Sequence, residues 1–314
     1  MDSGQNILPA GLLPQTFFRD RYFIVSKVGT GGFGSVYKAT DTWNGDHLVA
    51  IKEVNLQGLL LSMMIEARTT FQREADLLAQ LDHPNLPHLH EYIQMPGHWY
   101  LIMDFVAGET LEEYQGKRPN KRLLLSEVLD IGLQLCTVLE YLHAKQPPIV
   151  FRDLKPANVL RTSRGQIYLV DFGIARYFKQ GQGKDTIALG SPGYAAPEQY
   201  GKAQTTPRAD IYSLGAVLHQ LLTGRDPSEA HFRFTPLRPQ SSSDPGSLTT
   251  SMVDVLVNKL EILIASMLAM DVSKRPPDAA YVKQELQIVN MLWTDIYKSF
   301  WRPKLGYTQQ VQTR

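Results

Sequence analysis

Hydrophobic positions recur at two different periods along this 314-residue chain, and the change of period divides it. Between Tyr22 and Phe105 the rhythm is short. Runs rich in β-branched and aromatic residues alternate apolar with polar at Tyr22–Val28, Ser35–Ala39, His47–Val54, Leu89–Ile93 and Trp99–Phe105. Alternation gives a strand one core face and one outer face, so five strands are predicted. One helix interrupts them over Thr69–Leu81, where Phe71, Ala75, Leu78 and Leu81 recur at helical spacing. After Gly108 the helical period dominates. Val128, Ile131, Leu135, Val138, Leu139 and Leu142 mark a long helix over Leu125–His143, which Pro147 and Pro148 end. Further helices are predicted over Ala209–Leu222, Met252–Met270 and Ala279–Ser299, and Arg233–Ser247, rich in Pro and Ser, reads as a loop. The division expected is a loose leader over 1–20, a β-rich part over 21–107, a helical part over 108–290 and a helical tail over 291–314.

Composition narrows the classes. With 43% hydrophobic residues the chain can bury one large core or two separate ones. A net charge of +1 argues against nucleic acid or an anionic membrane as the main partner. Cys136 is the only cysteine, so no intramolecular disulfide can form, and a reduced, cytoplasmic setting is expected. The first 20 residues lack the basic start and apolar run of a signal peptide, and no stretch reaches the ~18 apolar residues of a membrane span. Two apolar stretches stand out. Leu56–Ile65 is expected to pack on the β-rich part, with a contact surface for a partner or a second copy as the other reading. Leu292, Trp293, Ile296, Tyr297, Phe300 and Trp301 form a stripe expected to pack on the helical part.

The chemistry concentrates in Ile149–Leu160, IVFRDLKPANVL, and in Asp171-Phe172-Gly173 beyond it. An Asp, a Lys and an Asn share one tight loop, and a second Asp ends a following strand. Phosphoryl transfer from ATP needs such groups: a carboxylate to orient the attacking hydroxyl, a cation near the moving phosphate, and an Asn and an Asp for Mg²⁺. Gly29–Val36, GTGGFGSV, fits GxGxxGxV, whose glycines let backbone N–H groups approach phosphates. Alone it is also what a glycine-rich hairpin looks like. A dinucleotide-binding turn should run into a helix, whereas a strand follows here. Lys52 lies within the apolar run Val49-Ala50-Ile51-Lys52 and needs a carboxylate to fix it. Glu74 is the first candidate, and Glu66, ahead of the clear helical run, the second.

In these motifs and their order the chain resembles the protein kinases, on the serine/threonine branch. The wording of Ala196-Pro197-Glu198-Gln199-Tyr200 and of 83–90 is similar to bacterial kinases of the eukaryotic-like type. The resemblance runs from about Tyr22 to Leu286. It implies an α+β, two-lobed fold: a small five-stranded β lobe with one key helix, a larger mainly helical lobe, and ATP in the cleft. It implies Mg²⁺, with Mn²⁺ as a substitute, and a protein substrate. Asp153 would accept a hydrogen bond from the substrate hydroxyl, and Lys155 would neutralise charge on the transferring phosphate. Asn158 and Asp171 would hold the metal. Lys52, fixed by Glu74, would hold the α- and β-phosphates. Val28, Gly29, Gly31, Gly34, Val36 and Ala50 would surround the nucleotide, with Met103 behind the adenine and backbone groups of Asp104 and Val106 at its edge. Arg152 would bind a phosphate carried on the segment 171–198, with Thr186 the expected site, and Ser191 would bond to Asp153 and Lys155. Glu198–Arg275 would be a buried ion pair, and Asp210 would cap the catalytic-loop backbone.

One residue departs from the family. Phe151 stands where a His is usual, and it reads as a packing variant beside Phe172. The rival readings are a pseudokinase, binding nucleotide as a scaffold, and a small-molecule phosphotransferase. The complete set Lys52, Glu74, Asp153, Asn158 and Asp171 argues against the first, and the Ala196-Pro197-Glu198 segment against the second.

Overall fold

The computed structural model describes residues 11–31, 34–57, 60–172, 176–177, 190–201, 205–237 and 248–300. The chain divides into two compact units. One is Met1–Gly108 with Tyr168–Ile174, and the other is Glu109–Ile167 with Ala175–Arg314.

The first unit is built on a six-stranded antiparallel sheet. Its strands are β1 (Phe17–Phe18), β2 (Tyr22–Gly31), β3 (Gly34–Asp41), β4 (His47–Asn55), β5 (Leu89–Met95) and β6 (His98–Asp104), in the order β1-β2-β3-β4-β6-β5. Alternation in β4 sorts its side chains: Val49 and Ile51 enter a core with Ile24, Tyr37, Ala39, Tyr100 and Ile102, while Lys52 takes the other face. Glu53 shares the core face and is buried, which demands partners. Tyr37 donates to it at 2.9 Å, Tyr100 donates at 3.3 Å, and His98 Nδ1 lies 2.9 Å away. Burial and the Glu53 carboxylate push both phenols above their ordinary pKa.

Two stretches differ from the sequence reading. Within the leader expected to be loose, Phe17–Phe18 pairs with β2, Phe18 is buried, and Leu12 packs against the sheet core. The helix α1 spans Leu61–Leu78, eight residues longer at its start than predicted. Leu59–Leu81 holds neither Gly nor Pro, so nothing stops the helix from extending backwards. Within Leu56–Ile65, Leu56 is buried as expected, but Leu60, Met64 and Ile65 are exposed. Among the described side chains of α1 the anchoring face includes Ala67, Phe71, Glu74, Ala75 and Leu78, all buried, with Phe71 against Trp99 at 5.1 Å between ring centres.

The second unit is mostly helical. It contains β7 (Gly108–Thr110), whose first residue closes the first unit, α2 (Leu111–Gly116), α3 (Leu125–His143), β8 (Ile149–Val150), β9 (Val159–Thr162), the start of β10 (Ile167–Leu169) and β11 (Arg176–Tyr177), then α4 (Pro207–Thr223), α5 (Leu248–Met267) and α6 (Ala279–Phe300). Strand β8 pairs with β11. Helix α4 is buried almost all round, the mark of a central helix. It packs against α3 and α5, and α6 covers α3 and α5. Pro207 opens α4, and Gly224, in the left-handed region, closes it. In the tail stripe Ile296 is buried and Leu292 and Trp293 are half-buried. The Tyr297 and Phe300 side chains and Trp301 lie outside the described residues. Among the described residues no helix is long and apolar enough to cross a membrane.

Candidate active site

Lys52 lies mid-strand in β4, on the sheet face away from the Ile51 core. Cross-strand partners share a face. Lys52 stands opposite Val36 and Leu101, Ala50 opposite Met103, and Val36 opposite Gly29. Val36, Ala50 and Met103 are half-buried, so this face carries a partly open apolar surface. The glycines on β2 and β3 differ in their reasons. A Cβ on Gly34 would lie 1.6 Å from the Glu53 carbonyl oxygen, so the fold itself requires glycine there. A Cβ on Gly29 would meet nothing within 4 Å, so its missing side chain only keeps the face clear. Val28, further along β2, is exposed. At the end of β6, the Asp104 N–H donates to the His88 carbonyl at 3.0 Å, and its carboxylate accepts the His88 N–H and lies 2.9 Å from His90. The Asp104 N–H is therefore spent within the protein. Val106 is half-buried just beyond it.

The carboxylate that meets Lys52 is Glu74, from the buried face of α1. Lys52 Nζ donates to both Glu74 oxygens, at 2.7 and 2.9 Å, and to Asp171 Oδ1 at 2.9 Å. The Glu66 side chain lies outside the described residues. Burial alone would lower the lysine's pKa, but Glu74 and Asp171 outweigh it and hold Lys52 firmly cationic. Burial holds Glu74 above the ordinary glutamate range, with Lys52 pulling the other way. Asp171 is 54% exposed and has φ 67°, a conformation rare outside glycine.

The second unit gathers the loop residues. Asp153 Oδ1 accepts from the Ser191 N–H at 3.0 Å and its hydroxyl at 2.7 Å. Its Oδ2 accepts from Asn158 Nδ2 and Lys155 Nζ, both at 3.0 Å. Lys155 also donates to Ser191 Oγ at 2.6 Å, and Asn158 Nδ2 to the Asp153 carbonyl at 2.9 Å. A single helical turn, Pro156–Asn158, swings Asn158 back toward Asp153. Its NH₂ group is committed there, which leaves Oδ1 as the atom free to ligate. An amide oxygen and the half-exposed Asp171 carboxylate are hard oxygen donors of the type Mg²⁺ selects. Each donor, taken by itself, is of a kind that fits that ion.

The loop is anchored from beneath. Asp210, buried on α4, accepts the Phe151 and Arg152 N–H groups at 2.8 Å each, and His143 Nε2 lies 2.8 Å from the same carboxylate. Phe151 is fully buried, as a packing residue should be. Arg152 is buried too, and it adopts φ 74°. Thr186 lies outside the described residues. Glu198 and Arg275 form a two-point pair at 2.7 and 2.8 Å, and Arg275 also donates to the carbonyls of Ala269 and Arg208. The sequence reading missed two features: the Glu53 cluster, and the contact Gln199 makes with the Arg152 carbonyl. A charged residue on the core face of β4 was the available signal for the first.

Residues 22–287 match the protein kinase domain family. The chain is 36% identical over 211 residues to the probable serine/threonine-protein kinase PknB of Lactococcus lactis, covering 67% of this chain and 32% of that protein. It is 38% identical over 208 residues to the serine/threonine-protein kinase PrkC of Bacillus subtilis, covering 66% and 31%. Against the serine/threonine-protein kinase Nek1 of Mus musculus the identity is 30% over 244 residues, covering 74% and 20%. The chain thus spans about a third of the length of the two bacterial relatives.

Proposed function

The chain belongs to the protein kinase family, with its two-lobed α+β fold, and from that premise we propose that it transfers the γ-phosphate of ATP to Ser or Thr hydroxyls of a protein. The observation that carries this reading is the convergence of Lys155, Asn158 and Ser191 on the Asp153 carboxylate. A carboxylate gripped by three polar side chains has one fixed orientation, which is what in-line attack requires of the group that orients the hydroxyl. Lys155 brings a cation to the same point, where charge builds on the moving phosphate.

Lys52 holds the nucleotide's α- and β-phosphates, and Glu74 keeps its ammonium in place. Asn158 and Asp171 would hold Mg²⁺, which would supply positive charge against the phosphates. Mn²⁺ would suit the same oxygen donors. Val28, Gly29, Gly31, Gly34, Val36, Ala50 and Met103 face the nucleotide, and the Asp104 carbonyl and the Val106 backbone meet the adenine edge. Autophosphorylation at Thr186, answered by Arg152, belongs to the same reading, as does a cytoplasmic setting. The exposed Leu60, Met64 and Ile65 are where a second copy would be sought.

The test is incubation of purified protein with Mg²⁺, γ-labelled ATP and a generic protein substrate, alongside Asp171→Asn, followed by site mapping. Label on Ser and Thr that vanishes in the variant is expected, with Thr186 among the sites. Nucleotide binding without any label on chain or substrate would favour a scaffold instead.

A further inference from the structure

Gln199 has no task in the reaction as described, yet its side chain is buried at 4% exposure. A buried amide is costly unless its atoms find partners. Gln199 Oε1 accepts the Ala196 N–H at 2.9 Å, which settles which way the amide points. The opposite end, Nε2, donates to the Arg152 carbonyl at 2.9 Å, a residue 47 positions away in sequence. Reversing the amide would set donor against donor and acceptor against acceptor. Gly190 makes room for this arrangement: it has φ 135°, and a Cβ there would approach Nε2 to 2.9 Å.

The peptide that Gln199 grips is an unusual one. Arg152 lies in the left-handed region at φ 74°, a state that a residue with a side chain keeps only when its surroundings impose it. Asp210 Oδ1 takes its N–H at 2.8 Å, and Gln199 takes its carbonyl. The strained residue is therefore pinned on both sides, and the next residue is Asp153. Residues 190–201 thus reach Asp153 twice: through Ser191 on its carboxylate, and through Gln199 on the backbone before it.

We infer that Gln199 is a positioning residue for phosphoryl transfer, its amide locking the Arg152–Asp153 peptide so that the Asp153 carboxylate points at the substrate hydroxyl. The inference rests on the proposed role of Asp153. Two substitutions of similar size test it. Gln199→Met removes both hydrogen bonds, and Gln199→Glu keeps the one from Ala196 but turns an oxygen on the Arg152 carbonyl. Single-turnover transfer should fall roughly tenfold in Gln199→Met and further in Gln199→Glu, in step with the loss of the bond to the Arg152 carbonyl in the first and repulsion at that carbonyl in the second. KM for ATP should stay within about twofold, because the nucleotide groups named above are untouched. A purely structural role would lower the melting temperature while folded protein kept its wild-type rate. That result in Gln199→Met would overturn the inference, even if Gln199→Glu failed to fold. Asp153→Asn runs beside them. Wild-type turnover there would remove the catalytic reading and this inference together, whereas wild-type turnover in the Gln199 variants alone would remove only the inference.

Discussion

The Lys52–Glu74 pair of the first unit and the Arg275–Glu198 pair of the second share a shortest contact of 2.7 Å and little else. Lys52 is a point charge on a flexible stem, divided between Glu74 and a half-exposed Asp171, and itself partly exposed. Arg275 is a planar fork, fully buried, that meets Glu198 at two points and donates to two backbone carbonyls besides. An ammonium between two carboxylates can exchange one of them for a phosphate without leaving a stranded charge. A guanidinium with all three of its nitrogens committed cannot move without leaving several groups unpaired. On the proposed reading the first pair meets a ligand, whereas the geometry of the second holds the fold, although both are a cation beside a glutamate.

Breaking each pair should separate these roles. Lys52→Met should cut transfer by roughly 10³-fold or more, the scale of losing a charge aimed at the transition state, while costing less stability than Arg275→Met, because Glu74 is already held above the ordinary glutamate range and takes up a proton when its cation leaves. Labelled-ATP kinetics and calorimetry on one preparation check it. A loss of stability as large as that of an Arg275 variant would erase the distinction. Arg275→Met should act the other way, costing about 3–5 kcal/mol because the Glu198 charge is stranded in a buried site. Urea titration reads that loss directly, and unchanged stability would mean that Glu198 finds water.

The smallest expected effect concerns pH. Because Glu74 titrates above the ordinary glutamate value, lowering the pH should weaken ATP binding earlier than a surface glutamate would allow. Stability should respond with the opposite sign. The folded chain holds this proton more tightly than the unfolded one, so the contribution of Glu74 to stability grows as pH falls through its raised pKa and shrinks as pH rises. Nucleotide binding and melting, each compared with Glu74→Gln across the acid range, should therefore diverge. Parallel curves for wild type and Glu74→Gln would sink the assignment.

Sequence was most legible where chemistry is packed into a few adjacent residues. Asp153, Lys155 and Asn158 lie within six positions, so the loop that joins them could be read directly. The alternation of β4 likewise put Lys52 and Ile51 on opposite faces. Lys52 and Glu74 could be paired because a strand lysine in an apolar run needs a carboxylate and a helix supplied one. What escaped was set by tertiary contact. Phe17–Phe18 is too short to show a period, and only pairing with β2 makes it a strand. The start of α1 escaped because Met64 and Ile65 in its first turns are apolar yet exposed, so they set no helical face. Gln199 was visible as part of a motif, but its reason lies on a carbonyl in another loop.

The return of Tyr168–Ile174 to the first unit bears on how the molecule is made. A nascent chain emerges from its N-terminus, so all six sheet strands leave the ribosome before this piece exists. Until then Asn85 lacks the Leu169 N–H that its carbonyl will accept, and Lys52 lacks Asp171. The acid that completes the lysine's surroundings arrives only after α3 and the loop bearing Asp153 have been synthesised. A half-made chain therefore holds a finished sheet that lacks one of its two proposed magnesium ligands, and no fragment ending at Gly108 can carry this unit away whole.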